Sequence, residues 1–365
     1  MINALKKINK GVLTIILFII LLPIIILILL AIIQGCSNRK ISHEAYETKM
    51  ISAATKYFED NKSLPAFGEV SEVSLDTLVN KEYIKSTLDL IGDDTCSGMV
   101  YVRNNGNTDN VYNYTANLEC KDYKNDTLKD ILLNNVVSSG NGLYNVDGVY
   151  YFKGDEVNNY ITFYDKQYRI MSVENGLVKL IRVETNDMGS KIWDNKYNKD
   201  AGYSYGKNIY ADSQILKSIN KDYNTDKFIS AEARKHIVAN KACIGKRKIG
   251  DYTISKAIDC SELLEGQVIF LPTASDFALA STDPDCTSLN SKSCRNYNYL
   301  KKILYSSWTS NTVSNNTYQA YYLLSGTIEY QNANTYNEYN VIIYIDGNER
   351  VLSGNGTETK PYVIG

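Results

Sequence analysis

The chain has 365 residues and a formal net charge of -2, enough length for more than one hydrophobic core and too little net charge for an electrostatic case for nucleic acid or an acidic lipid surface. Five prolines and the absence of a Gly/Ser tract exclude a long disordered stalk. Thirty tyrosines, with abundant Asn, Lys and Ile, match the codon bias of an AT-rich genome better than a specialised adhesive surface.

Val12 to Ile33 is a run of 22 residues without a charge, preceded by Lys6, Lys7 and Lys10. As a helix it would be about 33 Å long, enough to cross a hydrocarbon core of about 30 Å. The run predicts a single-pass anchor with the bulk of the chain outside the cytoplasm. The alternative is a lipoprotein signal in which Ile33-Gln34-Gly35-Cys36 is the lipobox and Cys36 is lipidated. The bilayer is therefore one expected partner and an extracellular glycan or protein the other, with no nucleic acid.

Seven cysteines leave Cys36 aside and six that fall as local pairs: Cys96 and Cys120, Cys243 and Cys260, Cys286 and Cys294. Six thiols allow 15 connectivities, so the pairing stays open on counting alone. For the first pair there is a geometric reason. Gly98 to Arg103 and Val111 to Leu118 have strand composition, and the turn formers Asn104 to Asn110 separate them. A hairpin folded there sets Cys96 opposite Cys120, and closing a loop of about 25 residues stabilises by roughly 3 kcal/mol. No Cys-x-x-Cys occurs, which leaves no zinc ribbon or thioredoxin-type motif. Oxidised pairs imply an extracytoplasmic location.

Tyr46, Met50, Ala53, Ala54, Tyr57 and Phe58 form one apolar stripe at helical spacing. That helix should stop before Leu64-Pro65, and Ser74 should cap a shorter one running toward Tyr83 and Ile84. An apolar helix continuing into an amphipathic one, a Leu-Pro, a short helix and a disulfide-closed hairpin resembles the type IV pilins and pseudopilins of Gram-positive bacteria over residues 12 to 125. The sequence departs from their cleavage motif: Gly11 is followed by Val12-Leu13-Thr14-Ile15-Ile16, with no glutamate in the apolar run. The resemblance then implies a pilin-like shape on a static anchor, and a pilus or type II secretion component as the alternative.

A boundary is expected between Asn134 and Asn141. Strands are predicted at Gly148 to Phe152, Tyr160 to Tyr164, Tyr168 to Val173 and Leu177 to Val183, with Asn175-Gly176 as a hairpin turn. Helices are predicted at Ser213 to Tyr223, Ala231 to Asn240 and from Thr273. Further strands are predicted at Val268 to Leu271, Tyr305 to Thr309, Tyr321 to Leu324 and Val341 to Ile345. The landmarks Gln167-Tyr-Arg-Ile-Met171, Ser213 to Tyr223, Val268 to Phe277, Ser306-Ser-Trp-Thr309 and Val341 to Ile345 occur in an order that resembles bacterial C-type-lectin-like domains related to the formylglycine-generating enzyme. This resemblance implies a mostly antiparallel domain that binds a ligand. The enzyme branch needs a reactive cysteine pair near its C-terminus, and nothing after Cys294 supplies one.

Catalytic constellations are thin. His43 and His236 are the only histidines, the latter predicted to be a solvated helix residue. Asp155 and Glu156 are a candidate carboxylate pair, and Trp193-Asp194-Asn195 lacks the partner motif of a lectin calcium site. No cofactor or metal is expected. Trp193, Trp308, Tyr321 and Tyr322 are candidates to line a ligand groove, with core packing as their default role. Together these readings predict an α+β protein: residues 1–37 as cytoplasmic tail and transmembrane helix, 38–137 as a small pilin-like domain, and 143–365 as a larger C-type-lectin-like domain. The expected function is a non-enzymatic, ligand-binding or adhesive surface protein, and the other alternative is a carbohydrate-acting or redox surface enzyme.

Overall fold

A computed structural model describes residues 21–22, 40–106, 111–183, 189–199, 205–226 and 228–364. Among the described residues nineteen strands fall in this order: β1 (Val70–Ser74), β2 (Ser97–Asn104), β3 (Tyr112–Cys120), β4 (Tyr123–Lys124), β5 (Gly142–Val146), β6 (Val149–Lys153), β7 (Tyr160–Phe163), β8 (Lys166–Glu174), β9 (Leu177–Arg182) and β10 (Ser190–Ile192). They continue as β11 (Asn240–Cys243), β12 (Lys246–Arg247), β13 (Leu263–Gln267), β14 (Ser306–Val313), β15 (Gln319–Leu324), β16 (Thr327–Asn332), β17 (Tyr336–Glu338), β18 (Ile342–Asp346) and β19 (Tyr362–Ile364). The fold is α+β and richer in strand than in helix.

The predicted single-pass membrane architecture is corrected. Among the described residues no helix is long and apolar enough to cross a membrane. The longest described helix, His43–Asp60, is apolar on one face only, carries Glu44, Lys49, Lys56, Glu59 and Asp60 on its others, and buries one further charge, Glu47, beside the apolar face. The run Val12 to Ile33 lies outside the described residues except for Leu21 and Leu22, as does Cys36. The same finding overturns the single-pass localisation.

Buried residues gather into two cores. The smaller one forms where the His43–Asp60 helix lays Tyr46, Met50, Ala53, Ala54 and Phe58 on the sheet β1-β2-β3-β4, burying Val73, Val100, Val102 and Leu118. Ser42 caps the helix by accepting from Ala45 N at 3.2 Å, and Ser74 caps Leu75–Asn80 in the same way. β2 and β3 pair from Ser97 opposite Glu119 to Asn104 opposite Tyr112, with 107–110 of the connecting loop outside the described residues.

The larger core is built on the path β18-β9-β8-β6-β5, extended through β7 and β19, and on a second sheet, β12-β14-β15-β16. Asn175 and Gly176, both at positive φ, turn β8 into β9, as the Asn-Gly pair requires. The helix Gln214–Tyr223 buries Ile215, Leu216, Ile219 and Tyr223 against this core.

The tract Asp346 to Arg350, which begins on the last residue of β18, joins the two cores. Arg103 Nε on β2 donates to Asp346 Oδ2 at 2.6 Å, both side chains buried. Glu349 Oε1 accepts from Asn113 at 2.9 Å and contacts His236 Nδ1 at 2.9 Å. Arg350 reaches Glu47 at 3.3 Å, while Leu128 N and Lys129 N donate to Glu349 O and Gly347 O.

Candidate cleft at the disulfide-closed loop

Among the described residues three disulfides are present: Cys96–Cys120, Cys243–Cys260 and Cys286–Cys294. The last closes a short loop whose C-terminal end forms one wall of an open cleft of about 930 Å³. Past Cys294, Arg295, Asn296 and Tyr297 line it, and Lys292 precedes them within the loop. Lys301 enters one turn later, Asp155 comes from the turn after β6, and Ser325 and Thr327 come from the β15–β16 hairpin.

The scaffold beneath is fixed by buried polar groups. Asn298 is fully buried, and its amide donates to Phe277 O at 2.8 Å and Cys294 O at 2.7 Å while its Oδ1 accepts from Leu300 N. Tyr299 N donates to Gly154 O at 2.7 Å, which fixes the Asp155 turn beside the Lys301 segment. Asn296 donates to Asp283 Oδ2 at 2.7 Å, and Ser281 Oγ donates to Asn296 O. On the opposite wall Ser325 and Gly326, at φ of 51° and 89°, make the two-residue turn of the hairpin. A Cβ on Gly326 would stand 3.0 Å from Arg295 Cβ and 3.1 Å from Phe277, so glycine is what lets the turn close against Arg295.

Charge in the cleft is one-sided. Lys292, Arg295 and Lys301 meet a single carboxylate, Asp155, which lies 3.8 Å from Lys301 with both side chains partly exposed. The Arg295 guanidinium lies over the Tyr305 ring at 5.5 Å, and Tyr297 and Tyr305 are 57% and 48% exposed. Exposed phenol rings beside extended cations can stack on a ligand's apolar face while the cations pair with its charge.

The four predicted groove residues do not form this site. Trp193 and Trp308 are completely buried, their indole N–H groups donating to Thr309 O and Lys191 O. Tyr321 is buried and donates to Lys248 O at 2.9 Å. Tyr322 is half-buried, edge-on to Trp308 at 5.8 Å. A groove needs open ring faces, and these close a core. Asp155 faces the cleft while Glu156 lines a different hollow beside Leu143 and Tyr362, so the two carboxylates do not act on one space. Asp194 accepts from the backbone of Lys196, Lys207 and Gln214, and its role is to hold a loop. His236, predicted to be solvated, is half-buried against Tyr164 and bonded to Glu349.

The cations of the cleft were missed although a signal existed. Lys292 to Lys302 reads Lys-Ser-Cys-Arg-Asn-Tyr-Asn-Tyr-Leu-Lys-Lys, the basic and tyrosine-rich edge of a disulfide loop. A second cluster looks catalytic but is closed: Asp276 accepts from Lys179 at 2.7 Å and Lys256 at 3.1 Å, with Lys179 and Asp276 both buried. Burial opposes the charge on Asp276, yet the two ammonium groups outweigh it and hold the carboxyl far below the usual range. Burial presses Lys179 below its ordinary value, against the pull of Asp276. Comparison with family models, curated proteins and solved structures finds no match to the chain.

Proposed function

We propose that this chain is a non-enzymatic binding protein and that the cleft beside Cys286–Cys294 takes an anionic saccharide, such as a uronic-acid-bearing glycan. The observation that carries the reading is the convergence of Lys292, Arg295 and Lys301 on one open space with a single carboxylate. In a chain of net charge -2 that local excess is not a consequence of composition. Arg295 suits a carboxylate because its planar fork can bond both oxygens, and the exposed ring of Tyr297 offers a face to the C–H side of a sugar. The resemblance of the later segments to C-type-lectin-like domains supports the same class of ligand. The cleft lining supplies charged, amide, phenol and hydroxyl groups, which can bind and orient a polar ligand.

Titration calorimetry with acidic and neutral oligosaccharides of equal length tests this. Acidic chains should bind, affinity should fall as salt rises, and Arg295→Ala and Lys301→Ala should each weaken binding by about tenfold or more. Equal binding of neutral and acidic sugars, or no effect of either variant, would overturn it.

A further inference from the structure

At the far end of the smaller core, His43 Nε2, Asp93, Cys96 Sγ and Cys120 Sγ each present a ligand atom, and these atoms lie within 4.8 Å of one another. The cysteines are joined in the disulfide that closes the β2–β3 hairpin. From this geometry we infer a redox-gated metal site: once a dithiol-class reductant opens Cys96–Cys120, the two thiolates, His43 and Asp93 bind one zinc ion.

Four groups of this kind are a complete tetrahedral set for Zn²⁺, with two soft sulfurs, one imidazole and one carboxylate oxygen. Two further observations point to a ligand. His43 Nε2 is buried and makes no hydrogen bond, and Asp93 Oδ2 stands 3.9 Å from it, the separation of two groups facing a common point. Both donors are also held from behind. Asp93 Oδ1 accepts from Thr95 N at 2.8 Å and Thr95 Oγ1 at 2.6 Å, which turns the other oxygen toward His43. The His43 ring is stacked on Tyr123 at 4.4 Å, which fixes its plane. Such support behind the ligands orients them for a metal.

The chemistry balances as follows. A dithiol gives two electrons and two protons to the disulfide and leaves as its own cyclic disulfide, producing two cysteine thiols. Zinc binding displaces both thiol protons to solvent. The sulfurs then separate to roughly 3.8 Å, as two Zn–S bonds of about 2.3 Å at a tetrahedral angle require. Reoxidation of the pair expels the metal.

The test uses the full chain treated with a water-soluble phosphine, which does not compete for metal and takes its oxygen from water as it reduces the disulfides. Zn²⁺ and the spectroscopic probe Co²⁺ are then titrated. One equivalent should bind, with tetrahedral cobalt bands, sulfur-to-cobalt charge transfer and two protons released per metal. The oxidised chain should show none of these. His43→Ala and Asp93→Ala should each weaken zinc binding by about tenfold or more, and Cys96→Ala/Cys120→Ala should abolish it. Cys243→Ala/Cys260→Ala should leave it intact. Zinc should also raise the melting temperature of the reduced wild type and not of H43A, a readout that separates ligation from folding. Octahedral cobalt spectra, unchanged affinity in both His43 and Asp93 variants, or a reduced chain that stays unfolded when zinc is added would overturn the proposal.

Discussion

Replacing Asp276 with Ala should be among the most damaging single changes in the larger core. Its carboxylate serves two buried or half-buried lysines and also caps its own helix, Oδ2 accepting from Thr273 N at 2.7 Å. Removing it leaves Lys179, only 6% exposed, charged and unpaired, at a cost of about 3–5 kcal/mol. The lost cap adds about 1 kcal/mol. A total of about 4–6 kcal/mol is a large share of the 5–15 kcal/mol typical of a domain, and corresponds to a melting shift on the order of 10–20 °C. Asp276→Asn keeps an oxygen for Thr273 and should lose about 1 kcal/mol less. Urea unfolding followed by tryptophan fluorescence reports this core, because Trp193 and Trp308 are both buried in it. Lys179→Met added to the Asp276→Ala chain should recover part of the loss by removing the orphaned charge. A change under about 1 kcal/mol for Asp276→Ala, or no recovery in the double variant, would refute the reasoning. The effect should reach the cleft as well, since Asn298, which organises the Lys301 segment, donates to Phe277 O in the same short helix.

Gly326→Ala should destabilise by about 1–2 kcal/mol, because its φ of 89° is strained for any L side chain, and should weaken acidic-saccharide binding by displacing Arg295; chemical melts and calorimetry measure the two effects. Burial opposes the charge on His236, but the hydrogen bond and charge of Glu349 outweigh it, so its pKa is raised. The stabilisation it gives is therefore full below its unfolded value of about 6.5 and lost as pH rises through the higher folded value; melting curves from pH 6 to 9 should show this loss, and His236→Gln should flatten it. Arg103→Ala leaves Asp346 buried without its cation and should cost about 3–5 kcal/mol, with faster proteolysis between the two cores as an independent readout. Cys286→Ala/Cys294→Ala should cost roughly 2–3 kcal/mol on the chain-entropy model while reducing saccharide affinity, and retained affinity would show that the loop does not shape the cleft.

Local periodicity was legible and long-range pairing was not. The stripe from Tyr46 to Phe58 is buried except for Tyr57, which is half-buried at its edge, and the hairpin does bring Cys96 to Cys120. The helix read over Ala231 to Asn240 stops at His236, because Ile237 and Val238 turn extended and bond to the backbone of β18. Val268 to Leu271 has strand composition, yet its ladder is reduced to one bridge, Phe270 with Ile342, and the strand lies earlier at Leu263–Gln267. Burial, not pairing, makes that run apolar, and composition does not separate the two. The tryptophans mislead for a related reason: a large amphipathic ring reads as a ligand platform until a backbone carbonyl is found for its N–H, and both carbonyls lie more than a hundred residues away in sequence.

The same division governs what holds the molecule together. Each disulfide spans at most 24 residues, so each stabilises one local loop, by about 2.5–3.5 kcal/mol, and none ties one core to the other. That joint depends on Arg103 with Asp346, Arg350 with Glu47, and Glu349 between Asn113 and His236, all of them polar and directional. An apolar joint would tolerate sliding, whereas hydrogen bonds at 2.6–3.3 Å fix one orientation and fail abruptly when a partner is lost. Local cross-links therefore set the shape of each loop and buried charge sets how the cores meet. The cleft draws on the first of these through Cys286–Cys294 and on a separate buried network, Asp276 with Lys179 and Lys256, which lies within the larger core and takes no part in the joint. Its cations can consequently be altered one at a time without disturbing the groups that hold the two cores in place.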